Sequence, residues 1–128
     1  MTMAWLFEDE KTAFTEKVLD KLQEDGALVP SIWHLEVVNV LLVAEKRKRC
    51  TPAQSLRFLE TLNSFPIQVD DGLTGQKTEA LLLLARSYEL SSYDTAYLDL
   101  ALRFGYPLAT LDVQLRKACK SSKAQLLT

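Results

Sequence analysis

The stretch 91-SSYDTAYLDLALRFGYPLATLD-112 carries a helix, a turn and a short strand in 22 residues, and an acid stands near each end. Ser91 and Ser92 are N-cap residues by type, and Ser91-x-x-Asp94 has capping-box spacing. Ala96, Leu100 and Phe104 recur every fourth position, as on a buried helical face. Gly105-Tyr106-Pro107 reads as a turn, residues 108–111 as a short strand, and Asp112 closes that strand. In open α/β sheets ligands bind beyond the carboxyl ends of the strands. Asp94 and Asp112 thus fall at element ends that can converge on one crevice.

Working outward, strand-like and helix-like segments alternate. Residues 1–25 read as a helix with an apolar stripe of Trp5, Phe14, Val18 and Leu22, stopped by Gly26. Residues 27–30 read as a short buried strand, with Ser31 as cap for a helix from Ile32 to about Arg49. That helix is apolar nearly all round as far as Ala44, which predicts burial or a partner. It ends in Lys46-Arg47-Lys48-Arg49, either a solvated end that suits the helix macrodipole or a phosphate-contacting patch. Thr51-Pro52-Ala53-Gln54 combines a cap, a first-position proline and the far half of a capping box. The helix it opens carries Leu56, Leu59 and Leu62 and stops near Asn63-Ser64. Residues 66–70 read as a second strand and 73–88 as a helix with a core run from Leu81 to Leu84. Residues 113–120 read as a short helix, and 124–128 as a final strand. The alternation predicts one α/β domain with a mainly parallel sheet.

Composition bounds the reading without deciding it. With 128 residues, 48% hydrophobic and 25% charged, the chain has the size and balance of one globular domain. A net charge of -2 excludes a nucleic-acid binder that works by bulk positive charge, but not a local basic patch. Cys50 and Cys119 form no disulfide framework and show no metal-ligand spacing, so they are expected as free thiols of a cytoplasmic protein. No apolar run approaches the roughly 18 residues of a membrane span, and no signal-peptide pattern is present.

Three acids stand out. Glu36 is the one formally charged residue in the thirteen from Ile32 to Ala44. Its helical neighbours are Ile32, Trp33, Val40 and Val43, with Asn39 beside it. A carboxylate buried among such residues must be paired, protonated or bound to a cation. Asp94 is explained equally well by a capping box, and Asp112 by a cap on the following helix. Taken as a set they need a counter-charge: at about 4 Å, like charges repel by roughly 1 kcal/mol in water and roughly 4 at an effective dielectric of 20. Oxygen-only ligands select a hard divalent ion, Mg²⁺ or Mn²⁺. The other candidates are thin. His34 is the sole histidine, Gly72 and Gly75 are too isolated for a phosphate loop, and Trp5 and Phe7 read as core.

At YDTAYLDLALRFGYPLATLD, at WLFEDE near the start and at the Pro30-Ser31-x-x-x-x-Glu36 opening of the second helix, the chain resembles the PIN-domain ribonucleases, in particular the VapC-like toxins of bacterial toxin–antitoxin pairs. The resemblance implies a PIN-like fold of three α/β/α layers and metal-dependent cleavage of RNA with Mg²⁺ or Mn²⁺. It also implies a cognate antitoxin and a homodimer. Glu36, Asp94 and Asp112 match the family's second, third and fourth acidic positions, and Thr110 its small hydroxyl residue near the metal. Asn39 and Asp99 are supporting candidates; Asp99, five past Asp94, is rotated off that face and suits a surface role. The family's opening strand, with its first acid, would precede Met1, so the chain is expected to lack the sheet's central N-terminal strand. A misassigned start is one explanation; if the truncation is natural, weak metal binding and much reduced cleavage are the expected consequence. A defective domain that binds an antitoxin-like protein or RNA without cleaving is the alternative.

Overall fold

Thr12 opens the first described helix with a reciprocal cap. Its hydroxyl accepts the Thr15 N–H at 3.1 Å, and the Thr15 hydroxyl oxygen accepts the Thr12 N–H at 2.8 Å. The structure, a computed structural model, describes residues 11–128. Among these run α1 (Ala13–Asp25), β1 (Ala27–Pro30), α2 (Ile32–Lys46), α3 (Pro52–Asn63), β2 (Ile67–Asp70), α4 (Gly75–Tyr88), α5 (Ser92–Phe104) and α6 (Val113–Ser121). The fold is α/β: β1 and β2 are hydrogen-bonded neighbours in a small parallel sheet, with α2 and α3 in the crossover between them. By contact the chain divides into two compact units, Met1–Gln68 and Val69–Thr128.

In the first unit, Gly26 decides how α1 gives way to β1. Its N–H bonds the Leu22 carbonyl at 2.9 Å, ending the helix, while φ +79° turns the chain into the strand. A Cβ on this residue would lie 2.7 Å from the Pro66 carbonyl oxygen, the group that accepts the Ala27 N–H at 3.0 Å. Glycine is required on both counts. Beyond β1, Val37 and Leu41 of α2 pack with Phe58 and Leu62 of α3 in a core of their own. The Thr51–Gln54 capping box forms as its sequence predicts, with Pro52 as the first helical residue. Ser31 departs from expectation: its backbone is already helical and its side chain makes no cap bond.

The second unit is built on α5. Leu98 and Ala101 pack with Leu90, Leu108, Leu115 and Cys119, and α4 and α6 lie against α5. The buried stripe of α5 is Thr95, Leu98, Leu100 and Ala101 rather than Ala96, Leu100 and Phe104; Phe104 is 45% exposed. The Leu81 to Leu84 run is not a core run either. At 100° per residue four successive side chains cannot share a face, and Leu82 and Leu83 point outward, 53% and 63% exposed. The strands expected at 108–111 and 124–128 contract to one parallel bridge between Leu108 and Leu126. The Leu108 N–H bonds the Gln125 carbonyl at 2.8 Å, and the Leu127 N–H bonds the Leu108 carbonyl at 2.9 Å.

Two further expectations are modified and one is met. The first helix was predicted to run unbroken from the start, but Thr12 is extended and helix begins at Ala13; residues 1–10, with Trp5 and Phe7, lie outside the described part. The apolar α2 buries Val37, Leu41 and Ala44 and leaves Leu35, Val38 and Leu42 exposed, so it is buried on one side only. Cys50 and Cys119 are both free and buried.

Candidate active site

Within the second unit, the start of α5 and the start of α6 each present an aspartate. Ser91 caps α5: its hydroxyl oxygen accepts the Asp94 N–H at 3.1 Å. Only this half of the predicted capping box forms among the described residues, so the Asp94 carboxyl is not spent on the Ser91 N–H. Instead that carboxyl is partly buried, and its pKa stands above the ordinary carboxylate value. Burial is the larger cause and the negative charge of Asp112 the second, while a hydrogen bond with the Ser91 side chain opposes both. Asp94 and Asp112 are therefore close enough to repel.

Asp112 is held from several sides. Its Oδ1 accepts the Leu115 N–H at 2.8 Å and so caps α6. Its own N–H is bound by the Thr110 hydroxyl oxygen at 3.1 Å, and Arg116 Nη1 donates to the Thr110 carbonyl at 2.8 Å. The capping role foreseen for Asp112 is real, yet it does not exhaust the group. A carboxylate offers about four acceptor positions on two oxygens, and the cap takes one. Thr110 thus steadies Asp112 through its backbone. Arg116 braces the same loop from one turn into α6; the signal that could have found it is its i+4 spacing from Asp112.

The remaining candidates separate cleanly. Asp99 pairs with Arg103, Oδ2 to Nε at 2.8 Å, and Arg103 Nη2 reaches Asp70 Oδ2 at 2.7 Å. This ion-paired bridge, from the end of β2 to α5, engages the Asp99 carboxylate; Asp70 had no sequence signal. Glu36 belongs to the first unit, half-buried on α2 and engaged by at least one polar or electrostatic partner. Asn39 is exposed on the same helix. His34 stands edge-on to Trp33, ring centroids 5.0 Å apart, on the exposed side.

The donor chemistry of the Asp94–Asp112 pair fits a hard divalent cation. Both groups offer oxygen alone, they repel each other, and partial burial of Asp94 raises the gain from a positive neighbour. Within either unit, among the described residues, no three His, Cys, Asp or Glu side chains gather as a metal site. No helix of the described residues is long and apolar enough to cross a membrane.

No curated protein and no solved structure matches the chain. A family model described as the PIN domain matches residues 2–121, both acids and their flanking helices included. The chain therefore belongs to the PIN domain family, whose members are of nuclease type.

Proposed function

We propose that the chain is a metal-dependent endoribonuclease that hydrolyses RNA phosphodiesters as the toxin of a toxin–antitoxin pair. The observation that carries this reading is the placement of Asp94 and Asp112 at the starts of α5 and α6, two helices in contact, with Asp94 partly buried and its pKa raised by burial and then by Asp112. In the family pattern both are ligand positions, and Glu36 is the third on the strength of that pattern alone. Bound Mg²⁺ or Mn²⁺ supplies an activated water and charge neutralisation at the phosphate. The chain's own residues contribute position. The α6 cap and the Thr110 hydroxyl fix Asp112, Arg116 holds the loop, and Ser91 fixes the backbone of Asp94. Asp99 and Asn39 play supporting parts at most. Incubating RNA with the chain and Mg²⁺ or Mn²⁺, beside Glu36→Gln and Asp94→Asn variants, tests the reading. Metal-dependent cleavage lost in both variants is expected; equal cleavage by wild type and variants removes it.

A second reading is favoured by one feature of α2. Leu35, Val38 and Leu42 are 66%, 45% and 58% exposed, at the i, i+3, i+7 spacing of a single helix side. Such a side suits an antitoxin-like helix or a second copy of the chain, and it would serve a domain that binds without cleaving. Co-purification with a small neighbour-encoded protein, combined with no cleavage under any metal, is the outcome that selects it.

A further inference from the structure

The cationic run that closes α2 has no fold role that accounts for it. Lys46, in the last helical turn, already complements the helix dipole, whose reach ends within that turn. Arg47 and Lys48 follow outside the helix, and all three side chains are exposed. None of the three makes an ion pair among the described residues, whereas Lys21 and Arg103 do. The run is nevertheless not a loose tail. The Arg47 N–H bonds the Val43 carbonyl at 2.9 Å, the Lys48 N–H the Glu45 carbonyl at 3.0 Å, and the Arg49 N–H reaches back to the Ala44 carbonyl at 2.9 Å. That last bond closes a helix-ending loop whose pivot must be left-handed, and the pivot is Lys48, at φ 59°. Glycine takes such a conformation with less strain, yet a lysine is kept there with its ammonium in water.

We infer that Lys46, Arg47 and Lys48 form a backbone-phosphate contact for an RNA strand. Three adjacent exposed cations on a pinned turn concentrate positive charge locally in a chain of net charge -2. They carry no aromatic or apolar partner in the run, so the contact reads charge and not sequence. Lys46 lies ten residues beyond Glu36 on the same helix, about 15 Å along its axis, so the patch grips RNA away from Glu36. The inference rests on the nuclease reading for its choice of RNA over an acidic peptide, and the test keeps the two apart.

The full chain, in EDTA to prevent cleavage, is titrated against a fluorescein-labelled 15-nucleotide oligouridylate at KCl concentrations from 50 to 300 mM. Beside it runs a Lys46→Ser, Arg47→Ser, Lys48→Gly variant, whose folding is checked by thermal melting. Single-strand phosphate contacts contribute a log–log salt slope of about 0.7 each, so the variant's slope should be shallower by about 2. Between 50 and 200 mM KCl the wild type should then lose about 16-fold more affinity than the variant. Equal slopes, no oligouridylate binding by the wild type, or displacement of the RNA by polyglutamate as readily as by unlabelled RNA would each overturn the contact. A slope difference without metal-dependent cleavage leaves the contact standing and removes the nuclease. Cleavage with equal slopes does the reverse.

Discussion

Replacing Asp112 in two ways separates its two duties. The Oδ1 that accepts the Leu115 N–H at 2.8 Å is a cap, and an asparagine oxygen makes the same bond, since Asn and Asp are equivalent caps. Asp112→Asn should therefore keep the wild-type stability within about 0.5 kcal/mol, and it also relieves the repulsion with Asp94. Asp112→Ala loses the cap and should cost about 1 kcal/mol, seen as a fall of roughly 3–6 °C in the melting temperature. Both substitutions delete the charge proposed to hold the metal, so both should abolish metal-dependent RNA cleavage. The Asp94 carboxyl gives a third readout. In Asp112→Asn its pKa should fall, while staying above the ordinary value because burial is the larger cause. Urea denaturation, cleavage assays and carboxyl-carbon NMR titration read the three separately. Undiminished cleavage by Asp112→Asn, at any stability, refutes the ligand role. Equal destabilisation by Asn and Ala refutes the cap as the origin of the stability term.

Asp94 also sets a pH dependence. Its folded pKa is raised, so its favourable contribution is complete below the unfolded value and is lost as pH rises through the folded one. The stability advantage of Asp94→Asn over wild type, followed by urea melts in chelator between pH 3 and 8, should thus grow with pH and then level off; a constant difference contradicts this. Gly26→Ala forces a Cβ to 2.7 Å from the Pro66 oxygen at φ +79°, and should cost about 3 kcal/mol in denaturant titrations. Gly75→Ala, where a Cβ meets nothing within 4 Å, is the control and should be neutral or slightly stabilising. Asp99→Asn removes one arm of an exposed ion pair whose arginine keeps Asp70, so it should cost less than about 1 kcal/mol and leave cleavage intact. A large loss of cleavage would move Asp99 into the site.

Residue type carried most of the element plan. Thr51-Pro52-x-Gln54, Gly26 and Gly105 punctuate the chain because their chemistry suits cap, stop and turn whatever surrounds them. Burial was less legible. The stripe on α5 was displaced by about one residue, roughly 100° of helix phase, because Ala96 and Phe104 look as apolar as Leu98 and Ala101, and only packing against Leu108 and Leu115 distinguishes them. The strands near 108 and 126 read longer than they are, because an apolar run records burial and not hydrogen-bond pairing. At the site, positions at element ends and the family resemblance proposed Asp94 and Asp112, while the influence of Asp112 on Asp94 depends on α5 and α6 packing together within the second unit. That is a tertiary fact. The Arg103 bridge to Asp70, 33 positions away, was invisible for the same reason.

Leu108 sits two residues before Thr110, and both of its backbone groups are held by the last four residues of the chain. The segment 125–127 is thus a guy-rope for the loop that aims Asp112. An affinity handle joined directly after Thr128, or digestion by a carboxypeptidase as far as Gln125, would slacken that rope before touching any acid. Preparations of this protein are best compared with residues 125–128 present and unaltered.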